Sequence, residues 1–420
     1  MLRRLVVMAC LAYPTSGARA DVIVVDPHGG PGAVLLESAL AAAVDGDILV
    51  LRAGNYETGH KLPYDIVGKS LTLVGESVGS QIRLPGLRVS GTAAGQPVIV
   101  RGLHLRRTTA PLAGDMPASL AVLECADVVW IEDCHIEGRD EVDPGFGVDA
   151  SSAVGLFIGL SADVIVTRCT ISGGDGRDDD VDGFGSTDGA NGVFAGSSRF
   201  TVLDSSVAGG DGGDGAPGPS DPHHGGAALY LSEADAIGSG CQLAGGDDGV
   251  GTTANHAAGP GIQGFGDSHV WLRDSTVVAG AAQDGEPPTP DIILPPDSVF
   301  LFPAAARNLS VGGPVAEGQS ATLAVGGVQG DGVWLLASLT PAYAPVFGKQ
   351  GVLSLSVPLV IVPLTAAIGD PGGQLALPFT MPTLPGGLNG LVFELQALHF
   401  GADGTTLGAP TCLVWISDTL

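Results

Sequence analysis

The chain has 420 residues, with 45 acidic against 18 basic side chains and a net charge of −27, and its lysines are three, Lys61, Lys69 and Lys349. Such a surface repels nucleic acid and anionic lipid, which excludes both as partners, and it is compatible with cations and neutral sugars. Hydrophobic residues at 45%, 66 glycines, 29 prolines and few aromatics favour short strands and tight turns over long helices, and the length exceeds the roughly 250–300 residues at which one core stops growing, so two structural units are expected.

Met1-Leu-Arg-Arg4 is a basic start, Leu5 to Tyr13 is apolar, and Ala18-Arg-Ala20 is a small-residue cleavage pattern before Asp21. Residues 1–20 therefore read as a secretory signal peptide, which predicts a secreted or surface-associated protein. The mature chain opens with a strand at Val22-Ile-Val-Val-Asp26 and an Ala-rich helix within Val34 to Val44. A turn and strand follow at Asp45-Gly-Asp-Ile-Leu-Val-Leu-Arg52, then a loop at Gly54-Asn-Tyr-Glu57 and a strand at Lys69-Ser-Leu-Thr-Leu-Val-Gly-Glu76. Pro97-Val-Ile-Val-Arg-Gly-Leu-His-Leu105 is an early copy of the unit that dominates the next stretch.

That unit reads Val128-Val-Trp-Ile-Glu-Asp-Cys-His-Ile-Glu-Gly138, then Val164-Ile-Val-Thr-Arg-Cys-Thr-Ile-Ser-Gly-Gly174, with further copies at Phe200–Gly210, Ala236–Gly246 and His269–Gly280. One column holds Cys134, Cys169, Ser205, Cys241 and Ser275, and two positions on stand Ile136, Ile171, Val207, Leu243 and Val277. A near-constant spacing with an aliphatic column means stacked coils of a solenoid. The intervening segments are too Gly-rich for the helices of a βαβ fold. The prediction is an all-β right-handed parallel β-helix of about eight rungs over residues 21–280, with unequal loops at 139–153, 175–191, 211–226 and 247–260 aligned on one flank.

The opening resembles that of secreted right-handed parallel β-helix proteins, pectin methylesterases among them, in which a helix precedes A-x-D-G-D-x-I-x-V, a G-x-Y-x-E-like loop and K-x-L-T-L-x-G. The matching residues here are Ala43-Val-Asp-Gly-Asp47, Gly54-Asn-Tyr-Glu57 and Lys69 to Gly75. The resemblance implies the start of a β-helix and no particular reaction.

Residues 281–297 are Pro-rich and read as a linker. From 298 to 420 alternating strands at Ser320–Val325, Gly332–Ala337, Gly351–Ser356, Gln374–Phe379 and Leu391–Ala397 predict an antiparallel β-sandwich. Gly390-Leu-Val-Phe-Glu-Leu-Gln-Ala397, preceded by Pro382-Thr-Leu-Pro-Gly386, looks like a C-terminal module common in secreted planctomycete proteins, and that resemblance names no activity. Gly351 to Ile368 is apolar enough to raise a membrane span, but Pro358 and Pro363 interrupt it and basic flanks are lacking, so buried strands are expected and membrane insertion is not.

The strongest local signal for chemistry is Asp178-Asp-Asp-Val-Asp-Gly183, a D-x-D-x-D-G run in which Asp178, Asp180 and Asp182 meet on one cation and the glycine permits the turn. Asp188 is a fourth candidate ligand. The cofactor this implies is Ca²⁺, against the alternative of solvated acid loops. Val142–Asp149 echoes Val181–Asp188, which would bring Asp143 and Asp149 near if the loops stack. His223-His224 with Asp221, and Asp247-Asp248 with His256, are either metal or proton-transfer groups or exposed loop residues. The paired aspartates of pectin methylesterases and the full motif set of polygalacturonases are missing. Arg168 and Arg177 beside Asp179 are the weak catalytic candidates for a lyase. The five cysteines of the mature chain, Cys125, Cys134, Cys169, Cys241 and Cys412, are odd in number. Cys134 and Cys169 fall on neighbouring coils, where a disulfide is one reading and a column for small side chains the other. The function these residues favour is a secreted non-catalytic β-helix protein, a surface or carbohydrate-contacting module with calcium-binding loops. The alternative is a polysaccharide lyase or glycoside hydrolase acting on an acidic polysaccharide. The partner in either case is a polysaccharide or a cell-surface component.

Overall fold

The computed structural model describes residues 20–57, 62–77, 81–107, 118–141, 152–178, 186–215, 223–250, 257–282, 288–302, 304–346, 351–357, 360–364, 367–370 and 372–418. Three long parallel sheets, one of ten strands and two of eight, run side by side through its first two thirds. Each coil contributes one strand to each sheet in turn. The fourth coil, for example, passes through Val129–Glu132 on the first face, His135–Glu137 on the second and Val154–Gly159 on the third before Val164–Thr167 resumes the first. Eight such coils make the right-handed parallel β-helix, and Val22–Val25 and Val299–Phe302 add the end strands of the first face. The predicted Cys/Ser column stacks in register, since its following residues pair as His135 with Thr170, Thr170 with Ser206, Ser206 with Gln242 and Gln242 with Thr276.

The interior is filled by the aliphatic columns. Leu105, Ile136, Ile171, Val207 and Leu243 are all buried on the second face, each worth about 1.5–3 kcal/mol against exposure. A one-residue corner follows the first face from the third coil on, and another follows the third face in the first seven coils. After the first face Asp133, Arg168, Asp204 and Asp274 take positive φ (52°, 52°, 46° and 45°), with Gly102 and Gly240 at the same place in other coils. After the third face Glu124, Leu160, Ser197 and Glu233 do so at 53°, 51°, 46° and 55°. The residue after the first of these corners explains the Cys/Ser column. Its small side chain donates back to the carbonyl two residues earlier, as in Cys169 Sγ to Thr167 (3.3 Å) and Ser205 Oγ to Leu203 (2.7 Å). Ser205 Oγ also accepts the Cys169 amide at 3.0 Å. Cys125, Cys134, Cys169, Cys241 and Cys412 are all free and buried, and burial pushes the Cys241 thiol up to about 12. In these coils the column takes a small X–H donor, and Leu103 fills the same place in the third coil after the Gly102 corner.

The solenoid runs past residue 280. Ile292–Ile293 pairs with the third face at Ile262–Gln263, and Val299–Phe302 pairs with Val270–Arg273, so part of the expected linker and the start of the expected second unit complete the last coil. Ile, Val and Phe at those positions suit a pleated edge better than a Pro-rich tether does. The C-terminal unit is built from antiparallel sheets. Asn308–Val311, Ser320–Gly326 and Gln374–Thr380 form one, and Gly332–Ser338, Gly390–Gly401 and Thr411–Ile416 are central to another. Between them lies a separate core around Leu309, Val325, Leu335, Phe393 and Trp415. Among the described residues no helix is long and apolar enough to cross a membrane.

Candidate functional site

The loops leave each coil after the second face and return before the third, and their backbones interlock. Segments bond across coils, as in Gly176 N–H to Asp211 O (2.8 Å) and Gly210 N–H to Ala190 O (2.8 Å), and across one loop, as in Gly226 N–H to Gly210 O (2.8 Å). Glycine is obligatory at this packing. A Cβ on Gly213 would stand 1.8 Å from the Arg177 carbonyl oxygen, and one on Gly174 would stand 1.9 Å from that of Arg139. The acids that open each loop form ladders. The Oδ1 of Asp175 accepts the Asp211 amide at 3.0 Å, that of Asp211 the Asp247 amide at 2.8 Å, and that of Asp247 the Ala281 amide at 2.6 Å. Burial, with Asp211 and Asp140 as like-charged neighbours, raises the Asp175 carboxyl above its ordinary range in spite of that amide bond.

Of the four calcium candidates, Asp178 and Asp188 stand exposed on this flank, while Asp180 and Asp182 lie outside the described residues, as do Asp143, Asp149, Asp179, Asp221 and His256. Asp178 Oδ1 accepts the Asp214 amide at 2.9 Å. Asp188 Oδ1 accepts from His223 Nδ1 and from the His224 amide, both at 2.9 Å. Arg177 reaches Glu141 at 3.6 Å and takes Thr187 Oγ1 on its amide at 2.8 Å.

Arg168 is placed elsewhere. Its corner conformation sends the side chain off the first face toward the C-terminal unit, where it donates to the carbonyls of Leu309 (2.8 Å) and Pro410 (3.1 Å) and to Asp133 (2.9 Å). It also bonds Glu132. It is a junction residue in this structure, separated from the Asp178 loop by the second face.

The second face carries a further grouping of side chains. Glu57, Arg83, His104, Arg106, Arg107, Glu137, Arg139 and Asp140, from the first four coils, line a cavity of roughly 460 Å³. Arg83 and Arg106 are exposed, and Arg107 and Arg139 are buried beneath them. Burial and then the charge of Arg107 hold Arg139 below the usual guanidinium range. His104 pairs in register with His135, and Glu137 receives both: His135 Nε2 lies 2.6 Å from Oε1 and His104 Nε2 3.2 Å from Oε2. Burial pushes the Glu137 carboxyl up, but the hydrogen bond from His135 and the closeness of both imidazoles hold it below the ordinary range. Among the described residues these three are the side chains whose metal-ligating atoms converge, all within 4.8 Å of one another.

On the third face, Phe157, Phe194, Tyr230 and Phe265 stack outward in a ladder with centroid separations of 5.0, 5.1 and 5.4 Å. Outward aromatics and the basic cavity thus occupy different sheets.

No family model and no curated protein matches the chain. Among solved structures it is similar to the pectate lyase Pel9A, at 12% identity and a TM-score of 0.32, over 71% of this chain and 64% of the lyase. It is also similar to the full-length tailspike protein 2 of Escherichia coli O157:H7 bacteriophage CAB120, at 10% identity and a TM-score of 0.21, over 96% of this chain and 69% of the tailspike. The chain spans under two thirds of the lyase's length. At these scores the likenesses add nothing to what the three parallel sheets already establish.

Proposed function

We propose that this chain is a carbohydrate-contacting β-helix protein whose ligand is an acidic glycan seated on the second face. The observation that supports it is the arginine cluster. The 18 basic residues less three lysines leave fifteen arginines, and four of them line one cavity in a molecule of net charge −27. Four guanidinium groups against the carboxylates of Glu57, Glu137 and Asp140 leave the lining basic, and guanidinium groups bind carboxylates through paired hydrogen bonds. Glu57 and Asp140 at the rim can accept sugar hydroxyls. The reading is one of binding, because the outward aromatic ladder lies on the third face and the basic cavity on the second. A lyase acting on the same polymer is the second reading, favoured by His135, whose imidazole is oriented by Glu137 in the manner of a general base.

Secretion and calcium belong to the proposal as well. The Ala18-Arg-Ala20 pattern supports export, and the exposure of Asp178 and Asp188 supports a calcium-stiffened flank. The test is isothermal titration with polygalacturonate and alginate against a neutral glucan. Salt-sensitive binding of the polyuronates, reduced at least ~10-fold in the double variant Arg83→Ala/Arg106→Ala, is expected from the loss of two charge-assisted contacts. Equal or absent binding of all three polymers overturns it. New unsaturated ends in the same samples would establish the lyase reading.

A further inference from the structure

His135 and Glu137 are two residues apart on one strand, so both project from the same side of the second face. His104 is the lateral partner of His135 one coil earlier. This is the smallest arrangement by which a parallel sheet can aim three ligating side chains at one point: i, i+2 and the register neighbour of i. The two rings meet edge to face with centroids 4.7 Å apart, which turns both Nε2 atoms toward the one carboxylate. The His104 Nε2 atom is withdrawn from solvent and makes no hydrogen bond of good geometry.

We propose that His104, His135 and Glu137 are the protein ligands of a divalent transition-metal ion of the zinc class, with a fourth position open to the arginine-lined cavity. Two imidazoles and a carboxylate are a donor set that suits zinc, at metal–ligand distances of about 2.0–2.2 Å, and three protein ligands leave one place for water or an incoming group. Ligand atoms about such an ion lie roughly 3.3 Å apart when tetrahedral; the His104–Glu137 separation of 3.2 Å is close to that, and the 2.6 Å His135–Glu137 hydrogen bond would open as the ion takes its place. The trio does not suit calcium, which takes six to eight oxygens. Among the cavity's arginines, Arg106, with Nε 3.5 Å from Glu137, is an adverse charge at the trio itself, and it already reaches Asp140 at 3.3 Å, to which it can turn when an ion enters. The inference stands on these three side chains and is independent of the glycan reading.

The experiment is titration of the full chain with Zn²⁺ by calorimetry and with Co²⁺ by visible absorption, without sugar and at pH 7.5. One equivalent of binding is expected, with a tetrahedral cobalt spectrum and a rise in Tm on adding zinc. His135→Ala and Glu137→Gln should each weaken binding at least ~100-fold, since even outer partners of metal ligands are worth 10–100-fold. The control His223→Ala/His224→Ala should bind as the unaltered protein does. The ligating groups point outward, so circular dichroism should show all variants folded. Absence of a one-to-one site, or wild-type affinity in His135→Ala, or loss of binding in the control alone, overturns the assignment. The Arg83→Ala/Arg106→Ala variant should keep the metal site while losing the glycan, which separates failure of one reading from failure of the other.

Discussion

Glu394 sits in an environment that ties the protein's stability to pH. It is buried opposite Cys412 in the sheet that faces the β-helix, and its Oε2 has no hydrogen-bond partner. Burial, with Glu132 as a like-charged neighbour, raises its carboxyl from 4.5 to about 8. The folded value exceeds the unfolded one, so folding binds a proton between those two values. The stability this provides is whole below about pH 4.5 and is lost as pH rises toward 8. Glu394→Gln should therefore leave the unfolding free energy unchanged near pH 4.5 and raise it at pH 8.5, by upward of ~1 kcal/mol, the least that an unpartnered buried charge costs. A constant difference across that range would show that Glu394 is not the group responsible. At this scale the sequence is readable where one rule acts on every coil: the spacing of Cys134, Cys169 and Ser205 is enough to declare a column of small side chains. His104 and His135 are also within reach of the sequence, because aligning Leu103 with Cys134 sets them side by side. Glu394 is not, because its neighbours come from a sheet over two hundred residues earlier, and periodicity says nothing about which strand packs against which.

At the scale of elements, the glycine-rich loops are a second, backbone-only lattice hung on the coils. Their repeated Gly-Gly-Asp openings at 173–175, 209–211 and 245–247 serve one geometry: the glycines allow backbone contact and the aspartate caps the amide of the next coil. The acid loops are legible in the sequence as a flank but not as ladders, since acid-rich turns look the same whether their carboxylates face ions, water or amides. Gly213→Ala tests the lattice directly. Its Cβ would meet the Arg177 carbonyl at 1.8 Å, a clash with backbone that no rotamer relieves. Amide exchange at Gly212, Gly215 and His223 should quicken at least ~10-fold, while Val166 and Val202 in the coil interior keep their protection, as independent local opening implies. Uniform quickening across loops and coils would instead mean that the flank and the solenoid unfold as one unit.

At the scale of the whole molecule, the C-terminal unit folds back onto the first face and covers it. Asp47–Leu51, Val98–Arg101, Val129–Glu132 and Val164–Thr167 are buried at every position, which is why they read as continuous runs rather than alternating ones. That pattern marks a sheet covered on both sides, and it stands in the sequence as a sign that something must lie over this face. Ile48, Val50, Ile99, Trp130 and Ile165 meet Cys412 and Val414 there. Within this apolar contact sits one charged network. Glu132 is fully buried and takes hydrogen bonds from Trp130 Nε1 (2.9 Å), Thr411 Oγ1 (2.6 Å) and the Cys412 amide (2.8 Å). It also pairs with Arg101 at 3.2 Å and with Arg168, while Asp133 accepts from both arginines. Two acids against two guanidinium groups leave the junction neutral. Removing one buried partner strands the others, at a cost of about 3–5 kcal/mol. Glu132→Ala removes the group that bridges both arginines and the Thr411–Cys412 segment at once, and its loss weighs on docking more than on either core, since the C-terminal unit has its own around Phe393 and Trp415. Calorimetry should accordingly show one transition for the unaltered protein and two for the variant, with the C-terminal unit melting first and the β-helix retaining its parallel sheets. One unshifted transition would mean that apolar contact alone couples the two units and that the charged network is passive.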